Sequence, residues 1–212
     1  MGRYGGSTLE DRVAARRAAL IDAGVELLGT EGAAGVTVRA ACRAAGLTER
    51  YFYESFPDGR DALLRAVHEH VAAQARAAIA AAVQAHAAAG RAPGDEALAH
   101  SAVAAFTAFL EEDPRRGRVL LSESFSDTVL ARNDIELVPA FAALLVARIT
   151  ALPDAPDATD AELTAVALIG ALRNLYLVWL AGDRGISTAR LNAHAARLII
   201  AAARVSSHDV HD

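Results

Sequence analysis

The chain has 212 residues, 53% of them hydrophobic and 5% aromatic, and a formal net charge of -5. That acidity argues against a protein that coats nucleic acid indiscriminately, and one cysteine, Cys42, excludes a disulfide framework. The length allows one domain, or a small module attached to a larger one.

Ala is the commonest residue and, with Leu, Glu and Arg, favours helix, while extended β-branched alternation is missing, so the expected class is all-α. All 21 basic residues are Arg, which reads as coding bias rather than a choice of guanidinium. Residues 1–50 carry seven Arg against six acids and the remainder is net acidic, a modest asymmetry that does not by itself identify a DNA-binding domain. The start, MGRYGGSTLEDRV, lacks the apolar core of a signal peptide. The longest apolar stretch, Ala165 to Ala181, is interrupted by Arg173-Asn174 and falls short of the ~20 residues that span a bilayer, so it is expected to be a helix buried on more than one side. These features point to a cytoplasmic protein with no membrane partner.

In chain order, Ser7 with Glu10 and Thr8 with Asp11 have capping-box spacing ahead of a helix from Thr8 to Glu31. Gly32 and Gly35 break it, and Thr37 caps a short second helix, Val38 to Ala45, ended by Gly46. Thr48 is placed to cap a third, Glu49 to Ser55. Phe56-Pro57-Asp58-Gly59 is a turn, with Asp58 as cap of a long fourth helix from Arg60 to about Ala89. Two short helices joined at Gly46-Leu47-Thr48 have the dimensions of a helix-turn-helix. Val38, Ala41, Cys42 and Ala45 form one apolar face, and Phe52 and Phe56, four apart, form another. Arg39, Arg43, Thr48, Glu49, Arg50, Tyr51 and Tyr53 are left outside that core.

The run ALIDAGVELLGTEGAAGVTVRAACRAAGLTERYFYESFPDGRDALLRAV resembles the N-terminal domain of the TetR family of transcriptional regulators from Arg12 to Val67. The resemblance is carried by Ala45-Gly46, by the aromatics from Tyr53 to Phe56 and by Leu63-Leu64. It implies that Thr48 to Tyr53 is the recognition helix. Thr48 and Tyr53 would then contact the DNA backbone, with Glu49 on the same surface; Arg50 and Tyr51 would reach base edges or nearby phosphates, and Arg39 would approach from the second helix. Arg60 would stand in the family's usual Lys place. Two positions depart from the family pattern: Ser55 replaces its second Tyr, and Gly59 is inserted ahead of Arg60.

Beyond Ala89, helices are expected at about Asp95 to Glu112, Pro114 to Ser122, Asp127 to Thr150, Asp160 to Ala181 and Thr188 to Ser206. Pro139 either starts or kinks one of them, and Thr159 with Glu162 has capping spacing. Residues 1–60 are assigned to a helix-turn-helix domain and 61–212 to a helical domain for ligand binding and dimerisation. In the last helix Leu191, Ala195, Leu198, Ile199 and Ala202 make a stripe rich in small residues, and the last two helices are the expected homodimer contact. Phe106, Phe109, Leu110, Phe125, Phe141, Leu145, Tyr176 and Trp179 are candidates to line a small-molecule cavity, with Glu123, Arg173 and Asn174 as polar groups.

The histidines form no metal pattern, no cofactor is expected, and no nucleophile has a base at informative spacing. The chain is therefore expected to be a homodimeric regulator, a repressor of operator DNA released by a small-molecule effector, rather than an enzyme. The alternative is an all-helical small-molecule-binding protein or enzyme whose N-terminal motif is only structural.

Overall fold

The computed structural model describes residues 8–92, 96–151, 155–182 and 184–205, and every regular element among them is helical. In order these are α1 (Leu9–Glu31), α2 (Val38–Ala45), α3 (Glu49–Ser55), α4 (Arg60–Ala88), α5 (Glu96–Glu112), α6 (Pro114–Gly117), α7 (Thr128–Ile149), α8 (Ala158–Leu180) and α9 (Thr188–Val205). A 3-10 turn, Ala33–Gly35, joins α1 to α2. A π turn, Arg118–Ser122, and a 3-10 turn, Glu123–Phe125, join α6 to α7.

The helix starts follow local hydrogen bonding, with three corrections to the sequence expectation. Thr8 and Asp11 form the capping box of α1, and the other candidate, Ser7, lies outside the described residues, as do Asp95 and Ser206. Thr37 Oγ1 accepts from Ala40 N–H at the start of α2. Thr48 occupies the N-cap of α3, but its side chain makes no cap bond. The N-cap of α4 is Gly59 and not Asp58, because the turn closes with φ at 73°, a conformation open to Gly and costly for other residues. Asp157, rather than Thr159 with Glu162, caps α8 by accepting from the N–H groups of Thr159 and Asp160, so that helix begins earlier than expected. Pro139 lies inside α7 on an exposed face.

Leu20, Leu27 and Leu28 of α1, Ala41 and Cys42 of α2, and Phe52 and Phe56 bury themselves against Leu63, Leu64 and Val67 of α4. The same core continues along α4 through Val71, Ala72 and Ala75 to Leu110, Val119, Leu120, Leu130 and Tyr176. One long helix thus serves as a wall of both the N-terminal unit and the larger bundle. Ala195, Ala196, Ile199 and Ile200 of α9 pack with Ala99 and Val103 of α5, so much of the expected α9 stripe is covered within the chain.

α8 differs from its expectation. It has 23 residues and, by length and composition, is long and apolar enough to cross a membrane. It is buried along one face only, through Ala161, Ala165, Leu168 and Tyr176, while Leu163, Val166 and Val178 are exposed.

Gly24 lies where α1 crosses α4, and a Cβ there would stand 2.4 Å from Val67 Cγ2, a fully buried side chain with no room to withdraw. Gly24→Ala gains helix propensity of about 1 kcal/mol but overpacks at a cost of about 1–3 kcal/mol. The expected outcome in denaturant melts is a net loss of stability; a gain would show that this crossing is looser than described.

Candidate nucleic-acid interface and ligand cavity

α3 separates its aromatic residues by helical period. Phe52 and Phe56 are buried, with ring centroids 5.7 Å apart. Tyr51 and Tyr53 remain exposed, at 37% and 49%. Arg39, Thr48, Glu49 and Arg50 are exposed as well, so six of the seven candidate DNA contacts are open to solvent on α2, on α3 or at the α3 N-cap. Arg50 Nε donates to Glu54 Oε1 at 3.0 Å while its side chain stays 83% exposed, an i,i+4 pair weak enough to exchange for another anion.

Arg60, the seventh candidate, is not on that surface. Its Nε donates to Val36 O at 2.9 Å, and Nη2 donates to Ala33 O at 2.8 Å and to Asp127 Oδ2 at 3.2 Å. With Gly59 as the N-cap of α4, the Arg60 side chain turns back to the α1–α2 link, where it finds two backbone acceptors and a carboxylate.

Two residues that sequence reasoning passed over support α3 from behind. Arg16 lies 4.4 Å from the Tyr51 ring centroid and pairs with Glu54 at 3.7 Å, and Arg17 lies 4.4 Å from the Phe56 ring. Adjacent arginines on the helix expected to pack against an aromatic-rich segment were the available signal. Cys42 is buried, and burial, with the charge of Glu49 second, pushes its thiol pKa up, away from the reactive thiolate.

A cavity of about 210 Å³ lies in the larger bundle, walled by α4, α5, α7, α8, Ile199 of α9 and the segment at Leu120 and Leu121. Of the expected lining residues, Phe106, Phe141, Leu145 and Tyr176 face it. Phe109, Leu110, Phe125, Asn174 and Trp179 do not. Leu110 belongs to the core, Phe109 packs under Arg116, and Trp179 meets the edge of Tyr176. Phe125 is 70% exposed with Arg173 over its ring. Asn174 follows Arg173 by one residue, about 100° around the helix, and so turns outward, donating to Gly170 O.

A few polar groups interrupt the apolar lining of the cavity. Arg173 pairs with Asp134, and both face the space, as does His68. Neither His68 nor Asp134 was singled out from sequence; their signal was polar residues on otherwise apolar faces of α4 and α7. Glu123 faces away and accepts from Ala33 N–H. His68 shares a 3.0 Å hydrogen bond with Asn133. Burial, opposed by the charge of Asp134, holds its pKa below the ordinary value, so the ring is neutral. Tyr176 is 2.8 Å from Thr107 Oγ1, and burial pushes its pKa up to about 12, which keeps the phenol protonated. Among the described residues no group of three or more His, Cys, Asp or Glu is placed to hold a metal.

Residues 20–67 match the family described as bacterial regulatory proteins, tetR family. No curated protein sequence matches the chain. Solved structures share its fold. A Rhodococcus sp. protein assigned to the TetR-family transcriptional regulators is 20% identical, with 92% of this chain and 99% of that one covered at a TM-score of 0.67. The fatty acid degradation regulator FadR from Bacillus halodurans is 18% identical over 92% and 96%, TM-score 0.65. The multidrug binding protein EbrR, complexed with imidazole, is 23% identical over 86% and 94%, TM-score 0.61.

Two measurements test this geometry. Phe52→Ala is expected to lower stability by about 3–5 kcal/mol, whereas Tyr53→Ala should melt close to wild type; equal losses would contradict the division of the aromatics. Because His68 binds a proton less well folded than unfolded, its contribution is complete above the ordinary imidazole value of 6.5 and declines as pH falls below it. Urea melts from pH 8 to 5.5 should show that decline, and His68→Gln should flatten it.

Proposed function

We propose that the chain is a DNA-binding regulator of the TetR family, whose family model matches residues 20–67, and that it acts as a homodimeric repressor released by a small molecule. The observation that carries this reading is the outer surface of α3. There Arg50, Tyr51 and Tyr53 stand clear of the core, beside an N-cap Thr48 whose side chain makes no cap bond. Phenol and guanidinium groups donate to phosphate oxygens and base edges, so a helix presenting them fits a major groove. In this reading residues 1–60 form the DNA-binding unit, with Arg39, Thr48, Glu49, Arg50, Tyr51 and Tyr53 at the interface. Arg60 braces the α1–α2 link instead of touching DNA.

Residues 61–212 hold the effector and the second protomer. The exposed face of α8, with Leu163, Val166 and Val178 flanked by Ala167, Gly170 and Ala171, supports a close helix–helix contact between protomers, with α9 beside it. Two α3 helices held about 34 Å apart, or somewhat farther, then read successive major grooves of a roughly palindromic operator. The apolar cavity takes the effector, a role supported by the small-molecule complex of EbrR. Release requires that the effector bind the DNA-competent and incompetent spacings unequally. The site of action is the cytoplasm, where operator DNA lies.

Selection of bound sequences from the organism's genomic DNA is expected to return a short, near-palindromic site bound by a dimer. Arg50→Ala and Tyr53→Ala should each weaken binding by about tenfold, from the loss of ~1–3 kcal/mol per contact, and salt should weaken it further. Absence of sequence-selective binding across the genome would overturn the regulator reading in favour of a small-molecule-binding protein.

A further inference from the structure

Arg173 lines the cavity, yet its donors are already engaged by the backbone and side chains beside it. Nε and Nη2 donate to Leu121 O at 3.2 and 2.9 Å, Nη2 also donates to Ser124 Oγ, and Nη1 pairs with Asp134. Leu121 and Ser124 belong to the irregular stretch 118–125, where π and 3-10 turns replace the α-helical ladder. Its conformation therefore depends on side-chain bonds more than a regular helix would.

That same stretch holds the α1–α2 link. Glu123, only 6% exposed, accepts from Ala33 N–H at 2.8 Å and from Arg118 Nε at 2.7 Å, and Arg118 Nη1 donates to Thr30 O at 2.7 Å. From the other side Arg60, itself paired with Asp127, donates to Ala33 O and Val36 O. Residues 30–36 are thus clamped on one side by Glu123 and Arg118, within the stretch that Arg173 holds from the cavity wall, and on the other by Arg60.

We propose that Arg173 and Glu123 form a relay through which an occupant of the cavity loosens the α1–α2 link and so the DNA-reading unit; its consequence for DNA rests on the regulator reading above. The relay also defines the effector: an apolar molecule bearing a hydrogen-bond-accepting group, most effectively an acidic one. A guanidinium has five N–H donors, and the existing contacts occupy most of them. A bidentate acceptor needs two adjacent donors, so it can be seated only by taking them from Leu121 O or Ser124. Once those bonds are lost, 118–125 is free to shift. A shift of Glu123 withdraws the acceptor of Ala33 N–H inside a buried site, where a missing partner is costly.

Hydrogen exchange on the full chain tests the relay without an effector. Arg173→Met, which keeps length and removes every donor, is expected to raise exchange at residues 30–36 by about tenfold, the effect of one lost charged hydrogen bond, while α9 stays at the wild-type rate. Glu123→Gln should raise exchange at the same amides, and Ser124→Ala should do so to a smaller degree. If Arg173→Met speeds exchange only in α7 and α8 and leaves 30–36 unchanged, the relay is overturned. Should Arg173→Met fail to fold, Ser124→Ala decides by the same criterion. With the operator fragment in hand, Arg173→Met should also bind DNA about tenfold more weakly, and unchanged affinity alongside faster exchange would overturn the coupling to DNA. If the wild-type chain selects no fragment, the regulator reading fails and the exchange result still decides the relay.

Discussion

A carboxylate removed from water must be met by donors, and in this protein that requirement ties the α1–α2 link to the stretch ahead of α7. Glu123 is buried and takes its donors from Ala33 N–H and Arg118, ninety residues back along the chain and five residues away. Removing a partner from such a group is far costlier than the bond is worth on the surface. The irregular stretch after α6 therefore cannot move without disturbing the link between α1 and α2. Arg60 and Asp127 repeat the connection a short distance away, so the N-terminal unit is attached by polar contacts at its link as well as by the shared core along α4.

The same contrast between buried and exposed surface organises α3. In a helix this short, residues four apart share a face, so Phe52 and Phe56 go inward together, and Tyr51 and Tyr53 are left on the flanks of the opposite side. Arg16 and Arg17 then cover part of those rings from α1, holding α3 in place without covering its outer face. What remains outside includes Arg50, held by a weak surface pair with Glu54, and the exposed phenols of Tyr51 and Tyr53, and on these the proposed DNA contact rests.

α8 is divided along its length in a similar way. One face contributes Leu168, Leu172, Arg173 and Tyr176 to the core and cavity, and the other leaves Leu163, Val166 and Val178 open. A helix apolar on both sides needs two partners, and this chain supplies one; the other face is where we place the second protomer. Arg173 is the polar exception on the inner face, and its interactions with Asp134, Leu121 O and Ser124 are what allow a guanidinium to sit in that wall.

Local features were legible in the sequence. The helices of the first sixty residues, the cap at Thr37, the division of Phe52 and Phe56 from Tyr51 and Tyr53, and the family resemblance rest on periodicity and on residues within a turn or two of one another. Features that depend on distant partners were not. Arg60 was matched to DNA by its place in a motif, but its direction is decided by Val36 O, Ala33 O and Asp127. Phe125 and Trp179 are as aromatic as Phe106, yet only the arrangement of several helices around the cavity decides which rings face it. The break after Gly117 was missed for the same reason: Arg173 of α8 donates to the Leu121 carbonyl, a group a continuous helix would have used, and the Glu123 side chain is held by Ala33 N–H near α1. Sequence alone determined which residues would be helical and which would be apolar, because those properties are set by neighbours along the chain. Tertiary structure decided what each buried polar group would touch, because a hydrogen bond has a direction and its partner lies on another helix.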